Sequence, residues 1–372
     1  MTQRAEPTLK PVLNRLVSLD AFRGFTIMAM LLVNNPGYDQ AFPDQLRHSP
    51  WGHFVTFCDL IFPWFLFMVG VSLTFSAASF RKRGGARFSY FMKALRRCLL
   101  LVFFGILISC SLYKRMAIGI GGVLQLIGLA YLAGVFLYEL PKKYRYGVSI
   151  GLLIFHWLFI RYAMIPGVGR GIFTEEVNIF QYINKTYLAH WHLAGLMSVI
   201  PTAALVLIGT FIGDLLRDKN KEPLSKLKSM LITGAALVIM GLLWHLDLMM
   251  NKAYWTPSYI LFSAGTGCWM LGLFYWLTDI KKWQKWAFPF VVYGMNAITA
   301  YFVSIIVRIH TAQEWMTTNA QGDKITLWQA MLDFWTGLAG INLGSWLFTV
   351  SYITFWWFIL YWMYRKKIFL RV

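Results

Sequence analysis

The stretch Leu60–Phe80 reads LIFPWFLFMVGVSLTFSAASF, carries no charged side chain and is followed directly by Arg81-Lys82-Arg83. An α-helix needs about 20 predominantly apolar residues to cross the hydrocarbon core of a bilayer. This stretch meets that requirement, and a group of cations directly after it is typical of the cytoplasmic end of a membrane span. We therefore predict a helix that crosses a membrane and ends in the cytoplasm.

Further apolar stretches alternate with polar connections along the rest of the chain. The predicted spans are 18–35, 54–80, 98–113, 121–140, 146–164, 193–215, 229–249, 257–279, 286–309 and 345–364. The chain is 58% hydrophobic and only 14% charged, whereas soluble domains carry roughly a quarter charged residues. The sequence thus predicts an all-α, polytopic transmembrane helix bundle of about ten spans, which forms one domain over residues 1–372.

The basic residues are unevenly divided between the two faces of this bundle. Of 35 Lys and Arg residues, 25 lie at the termini and in the connections of one face and nine at most on the other, with Arg23 inside the first span. Cytoplasmic connections carry the excess of Lys and Arg, so we predict that both termini are cytoplasmic. The net charge of +19 follows from these flanking residues. No recognition motif accompanies it, and we expect no nucleic-acid partner.

Polar side chains beside the first two spans are candidates for chemistry, because ionisable groups in a membrane are costly. His48 lies in the connection predicted to face outward, and an imidazole can transfer protons near neutral pH or attack an acyl carbon. Asp59 could orient His48 or pair with a lysine, and Asn34 could donate to a developing oxyanion. The alternatives are an interfacial loop histidine, a helix-start carboxylate and a helix cap.

Other polar groups are less specific. The pair His190 and His192 has a spacing compatible with a metal ion, but no carboxylate or cysteine set completes it, and we expect no metal. Four cysteines, Cys58, Cys98, Cys110 and Cys268, form no metal-binding spacing and are expected to be buried, unreactive thiols.

Several blocks of the sequence occur in a recognisable order. They are RLVSLDAFRG from Arg15, VN from Val33, HSPWG from His48, DLIFPWF from Asp59, GVLQLIG from Gly122, GLMSVIP from Gly195, NKAYWTPSY from Asn251 and GMNAITAY from Gly294. Together they resemble the heparan-α-glucosaminide N-acetyltransferase family, bacterial members of which are sometimes labelled N-acetylglucosamine-related transporters. One departure is His192-Leu193-Ala194, where the family usually has Asp-Pro-Glu.

The resemblance implies a transmembrane acetyltransferase. Acetyl-CoA, as co-substrate, would supply an acetyl group from the cytoplasm to a small-molecule amino sugar of the glucosamine type on the opposite face. His48 matches the family's catalytic histidine and Asn34 the asparagine beside it. The alternative is a transporter of amino sugars or peptidoglycan fragments, which would not consume acetyl-CoA.

Two further sets of residues are predicted for this function. Arg23, Arg96 and Arg97 are candidate partners for the CoA phosphates, although ordinary cytoplasmic flanking charges are the alternative. The acceptor pocket is expected on the outer side, with Asn251, Lys252, Trp255, Ser258 and Asn296 as candidates. An aromatic face suits a sugar ring, whereas interfacial anchoring and interhelical hydrogen bonds are the alternatives.

The surroundings expected for the protein follow from its composition. The lipid bilayer is a partner, and the sequence is also compatible with a homo-oligomer. The compact length predicts an integral protein of a bacterial inner membrane.

Overall fold

The structure is a computed structural model that describes residues 16–319 and 321–370, and these residues are mainly helical. The α-helices are α1 (Val17–Asn34), α2 (Phe57–Lys82), α3 (Arg87–Tyr113), α4 (Val123–Tyr138), α5 (Lys142–Tyr162), α6 (Ile179–Ile183), α7 (Val199–Arg217), α8 (Pro223–His245), α9 (Pro257–Tyr275), α10 (Phe288–Met295), α11 (Ser304–Val307) and α12 (Leu327–Arg365). Two short antiparallel hairpins pair β1 (Met164–Ile165) with β2 (Gly169–Arg170) and β3 (Met316–Thr318) with β4 (Lys324–Thr326). The predicted all-α class is confirmed.

The helices define an integral membrane protein. Seven of those described are long and apolar enough to cross a membrane, or eight if the bent pair Lys285–Met295 and Thr299–Ala312 is one span. Every predicted span overlaps at least one helix, but α4 has only 16 residues and α5 contains four basic side chains. Length and composition therefore support seven or eight spans and do not confirm all ten.

The central helix α2 is defined at its start by a capping box. The side chain of Thr56 and the carboxylate of Asp59 each accept a hydrogen bond from the other's backbone N–H, which satisfies two donors that an isolated helix end leaves unpaired. Beyond this turn α2 packs against α1, α7 and α9, and most of its residues are buried. The capping box therefore fixes a buried carboxylate at one end of the bundle.

Glycines allow α1 to cross α10 at very close range. A Cβ atom at Gly24 would lie 1.7 Å from the carbonyl oxygen of Phe290, and one at Gly294 would lie 2.0 Å from that of Asp20. Close packing of small residues is a main source of helix association in membranes. This crossing therefore sets the position of α1.

We expect the substitution Gly24→Ala to destabilise the protein by about 1–3 kcal/mol, because the opposing helix backbone cannot move aside as a side chain would. Thermal unfolding of the purified protein in detergent measures the effect. The control is Gly151→Ala in α5, another helical glycine with no atom within 4 Å of the added Cβ. Equal unfolding temperatures for the two variants would contradict this account of the crossing.

The predicted span 286–309 is broken rather than straight. Helix α10 ends at Asn296, which has φ −125° and ψ 43°, and the helical segment Thr299–Ala312 then runs at 74° to it. The buried amide of Asn296 donates to the carbonyl oxygen of Ile368 (3.2 Å) and accepts from the N–H of Leu370 (3.1 Å). These bonds tie the side chain at the break to the chain beyond α12.

Helix α12 contains a reversal at Gly340, whose φ of 76° and ψ of 169° are not helical. Glycine adopts this conformation at little steric cost. A Cβ at Gly344 would meet the backbone of Trp335 and Thr336 at 2.5 Å, so the chain folds back on itself there. Residues 327–339, predicted as part of a loop, therefore form the first arm of a helical hairpin, and the predicted span 345–364 lies in the second.

Candidate functional site

His48 is held above the first turn of α2 by its neighbours in the connection. The guanidinium of Arg47 donates to the carbonyl oxygens of Asp39 (2.9 Å) and Phe42 (2.7 Å). The hydroxyl of Thr56 donates to the carbonyl oxygen of Arg47 at 2.7 Å. The backbone on the N-terminal side of His48 is therefore fixed to the start of α2.

Four side chains meet at this point, and we refer to His48, Cys58, Asp59 and Lys252 as the His48 cluster. The Nδ1 atom of His48 lies 2.9 Å from Asp59 Oδ1, 3.2 Å from Cys58 Sγ and 3.0 Å from Lys252 Nζ. Lys252 Nζ also donates to Asp59 Oδ1 at 3.2 Å. The structure thus joins three residues predicted for the site, His48, Asp59 and Lys252, and adds Cys58.

Asp59 is the buried centre of the cluster. Its side chain is 3% exposed, whereas that of His48 is 59% exposed. The Oδ2 atom accepts the backbone N–H groups of Ser49 (3.1 Å) and Thr56 (3.3 Å), which leaves Oδ1 for the imidazole and the ammonium. A buried charge is tolerated when it is paired and hydrogen-bonded in this way. Both oxygens are occupied, so the carboxylate serves to hold the other groups.

These contacts favour one tautomer of His48. The closest partner of Nδ1 is Asp59 Oδ1 at 2.9 Å, a carboxylate oxygen that can only accept, so Nδ1–H donates to it. The ammonium of Lys252 lies 3.0 Å from Nδ1 and has its own hydrogen bond to the same oxygen. The lone pair of the imidazole is then on Nε2, in a side chain that is more than half exposed. A carboxylate behind a histidine in this way orients the ring and stabilises the imidazolium that forms when Nε2 takes a proton or an acyl group.

Lys252 is carried by a tight turn whose polar side chains are used internally. Asn251 Oδ1 accepts the N–H of Tyr254 (3.1 Å), and the hydroxyl of Thr256 accepts the N–H of Asn251 (2.9 Å). The buried hydroxyl of Ser258 donates to the carbonyl oxygen of Leu248 at 2.8 Å. The predicted residues Asn251 and Ser258 therefore shape the turn that presents Lys252.

The same turn forms a wall of a cavity of about 170 Å³, which we name the Trp255 cavity. Trp255 has a positive φ of 53°, and its buried ring packs against Phe62 and Tyr259. Other lining residues are Phe180, Asn184, Ser198 and Tyr254. Residues 252–255 thus contact both His48 and this cavity.

A second cavity, of about 20 Å³ and so little larger than one water molecule requires, is named the Arg97 cavity. Its walls come from α1 to α4 and the segment after the bend of α10, and include Ile27, Phe65, Ile127 and Tyr301. Arg97 is its one charged lining residue; the guanidinium lies 4.6 Å from the ring centre of Tyr131, and among the described residues its buried Nε has no hydrogen-bond partner. The cavity is therefore an apolar space with a cation at its wall.

Arg96, the other arginine predicted at α3, is exposed and does not line this cavity. Arg23 donates to the hydroxyl of Ser72 (2.6 Å) and pairs with Asp20 at 3.4 Å, which joins α1 to α2. The structure therefore separates the three arginines predicted for phosphate binding.

Asn34 and Asn296 are not part of the His48 cluster. The side chain of Asn34 is exposed and, within the described ranges, forms no hydrogen bond with His48. Asn296 follows Gly294, which packs on Asp20 near the start of α1, whereas His48 follows the opposite end of that helix. Asn296 therefore lies at the other end of the bundle.

The end of α1 is held by Arg308. Its Nη1 donates to the carbonyl oxygen of Asn34 (2.8 Å) and to Oδ1 of the buried Asn35 (2.7 Å). The Nδ2 of Asn35 in turn donates to the carbonyl oxygen of Leu31 at 2.6 Å. A cation at a helix C-terminus is favourable because the last carbonyl groups lack partners within the helix. This anchor was not identified from the sequence, since nothing near Arg308 indicates its partners.

Cys58 is the member of the cluster that the sequence analysis missed. Its local signal is Thr56-x-x-Asp59 before an apolar run, which is the pattern of a capping box. Cys58 directly precedes Asp59 in that first turn, and its Sγ lies 3.2 Å from Nδ1 of His48. The pattern indicates the turn that carries Cys58, and the direction of the thiol toward His48 is seen only in the structure.

The fold and the site define a polytopic helical membrane protein that presents a histidine, a carboxylate and a lysine at one end of its bundle. Residues 15–246 match the sequence profile "Heparan-alpha-glucosaminide N-acetyltransferase, catalytic", and the chain belongs to that family. The resemblance stated from the sequence is thereby confirmed.

Two relatives show the extent of the match. The heparan-alpha-glucosaminide N-acetyltransferases of Mus musculus and Homo sapiens are 22% and 24% identical to this chain over 96% of its length. The matched regions cover 61% and 60% of those proteins, so this chain spans about three fifths of the length of these relatives.

Proposed function

We propose that this chain is a transmembrane acetyltransferase, which moves the acetyl group of cytoplasmic acetyl-CoA to an amino sugar of the glucosamine type on the opposite face. The observation that carries the proposal is the exposed imidazole of His48, whose ring is oriented by the buried carboxylate of Asp59. Family membership supports the type of reaction.

The proposed topology has ten spans and two cytoplasmic termini, in a bacterial inner membrane. It counts α4 and α5 as spans although one is short and the other less apolar. The excess of 25 Lys and Arg over nine at the two faces supports the orientation. His48, after the end of α1, would then face outward.

The donor would reach this face through the bundle. We assign the Arg97 cavity to the pantetheine arm of acetyl-CoA, because its apolar lining suits the arm and Arg97 can bind a phosphate group. Its walls would have to move apart to admit the arm, since the cavity has a volume of only about 20 Å³. Arg23 and Arg96 would contribute positive charge nearer the cytoplasm. The long, thin arm allows the nucleotide to stay on the cytoplasmic side.

Two routes for the transfer use the same residues. In the covalent route Nε2 of His48 attacks the thioester carbon, the C–S bond breaks and CoA leaves as a thiolate that takes up a proton. The acceptor amine then attacks the acetyl carbon, the bond from that carbon to Nε2 breaks, and the freed Nε2 takes the proton of the amine. In the direct route the amine attacks the thioester carbon itself while Nε2 takes its proton, and the C–S bond breaks to release CoA as a thiolate that takes up that proton. In both, Asp59 stabilises the imidazolium, and Lys252 and Asn34 would donate to the oxyanion.

The acceptor is assigned to the Trp255 cavity. The turn that forms its wall also brings Lys252 to His48, so a ligand there would lie next to the reacting group. Asn184 and Ser198 provide hydrogen-bonding groups, and Tyr254 and Trp255 provide aromatic surface for a sugar ring. Asn251 and Ser258 would act by shaping this turn, and Asn296 by stabilising the bend of α10.

The test uses purified protein, acetyl-CoA and glucosamine, with free CoA measured by a thiol reagent and acetylated sugar by mass spectrometry. Formation of both products at equal rates supports the acetyltransferase. Uptake of unmodified glucosamine into vesicles without consumption of acetyl-CoA would support a transporter instead and overturn the proposal.

We expect Arg97→Gln to raise the KM for acetyl-CoA by about tenfold to a hundredfold, since the loss of a hydrogen bond to a charged group costs about 1.5–3 kcal/mol. Steady-state kinetics with varied acetyl-CoA measures it. The control is Arg96→Gln, which removes the same charge from the exposed neighbouring position. Equal changes in KM for the two variants would contradict the assignment of the cavity.

A further inference from the structure

The His48 cluster brings together three kinds of metal ligand. The ligand atoms of His48, Cys58 and Asp59 all lie within 4.8 Å of one another. Cys58 and Asp59 are consecutive in the first turn of α2, so their side chains diverge by about 100°. The imidazole contacts both, at 3.2 Å from Sγ and 2.9 Å from Oδ1. Thiolate, imidazole and carboxylate are the protein ligands that zinc binds.

The spacing is near that of a tetrahedral ion. Bonds of about 2.0 Å to nitrogen or oxygen and about 2.3 Å to sulfur place two such ligands about 3.3 Å apart for N and O and about 3.6 Å apart for N and S. The observed separations are shorter by a few tenths of an ångström. Because His48 is 59% exposed, its ring can move outward by this amount, and water can supply a fourth ligand.

A cation already occupies the space between these ligands. Lys252 Nζ lies 3.0 Å from Nδ1 of His48 and 3.2 Å from Oδ1 of Asp59. The side chain of Lys252 is 29% exposed and has a flexible stem, so it can turn away into water. The position therefore favours positive charge, and its present occupant can be displaced.

We propose that the His48 cluster is a binding site for Zn²⁺ and similar thiophilic divalent ions, with His48, Cys58 and Asp59 as ligands and Lys252 as the competing cation. A bound ion would take over the contacts by which Asp59 orients His48, so it would inhibit the proposed reaction. Binding depends on the geometry of the cluster alone, and it stands or falls independently of acetyl transfer.

The test is a titration of the purified full-length chain, freed of metal by a chelator, with Co²⁺ as the spectroscopic probe. We expect one Co²⁺ per chain, a thiolate-to-metal charge-transfer band, and loss of the band when Zn²⁺ is added. Cys58→Ser should remove the band and weaken binding by about tenfold or more. Loss of a group that only supports a metal ligand already weakens binding by about tenfold or more, and loss of the ligand itself should weaken it at least as much. Cys110→Ser, a free cysteine outside the cluster, is the matched control.

Lys252→Met provides a second measurement that does not alter a ligand. Removal of the competing ammonium should tighten Co²⁺ binding by about tenfold or more. A parent protein without the charge-transfer band, a band that persists in Cys58→Ser, or unchanged affinity in Lys252→Met would each overturn the proposal.

Discussion

His48→Ala should lower the release of CoA from acetyl-CoA and glucosamine by about 10²–10⁴-fold, the range that a positioned acid–base group contributes. The structure supports this size of effect because His48 is the exposed member of the cluster, and Asp59 and Lys252 hold it from behind. Without the imidazole, neither route has a group that accepts the proton or the acetyl. Initial rates at saturating concentrations of both substrates measure the loss.

The matched control is His53→Ala. His53 is an exposed histidine of the same connection, and none of its side-chain atoms contacts the cluster among the described hydrogen bonds and ion pairs. It should retain the parent rate within about twofold, as expected for a surface substitution. If His48→Ala released CoA as fast as His53→Ala, the catalytic assignment of His48 would be wrong.

Asp59→Asn should lower the same rate by about 10²–10⁴-fold, with little change in the KM values, because it reverses the tautomer of His48. The backbone N–H groups of Ser49 and Thr56 both point at Oδ2, so the amide of the variant would keep its oxygen there. Its NH₂ group would then face Nδ1 and donate to it. The proton of the ring moves to Nε2, and the reactive lone pair is lost.

Asp247→Asn is the control for this substitution. Asp247 is also a carboxylate near the end of a helix, but it pairs with Arg161 at 2.7 Å and accepts from Trp157 at 2.6 Å, away from the cluster. Both variants are checked by size-exclusion chromatography, so that a loss of folding is separated from a loss of rate. A rate for Asp59→Asn close to that of Asp247→Asn would show that the carboxylate does not set the tautomer.

The main helices could be predicted from the sequence because a membrane imposes length and polarity locally, as in the apolar stretch of α2. The broken span could not. The bend at Asn296 depends on hydrogen bonds to Ile368 and Leu370, which are more than 70 residues away. The reversal at Gly340 depends on a positive φ that a glycine permits but does not require.

The candidate site shows the same division between local and distant information. The link between Thr56 and Asp59 is readable as a capping box, and it places the carboxylate within reach of the preceding connection. The contact of Lys252 with His48 joins residues 204 positions apart. Only the packing of α9 against α2 brings them together, so their pairing is a property of the tertiary structure.

The helical segment Thr299–Ala312 connects the Arg97 cavity to the end of α1. Its Tyr301 is part of the wall of the Arg97 cavity. Its Arg308, about 10 Å further along the helix axis, donates a hydrogen bond to the carbonyl oxygen of Asn34 at the end of α1. A shift of this helical segment that widens the cavity would also displace Asn34 and Asn35, because both are hydrogen-bonded to Arg308. We therefore expect cooperativity: glucosamine should bind with a different affinity once CoA is present, and by thermodynamic reciprocity CoA should respond equally to glucosamine.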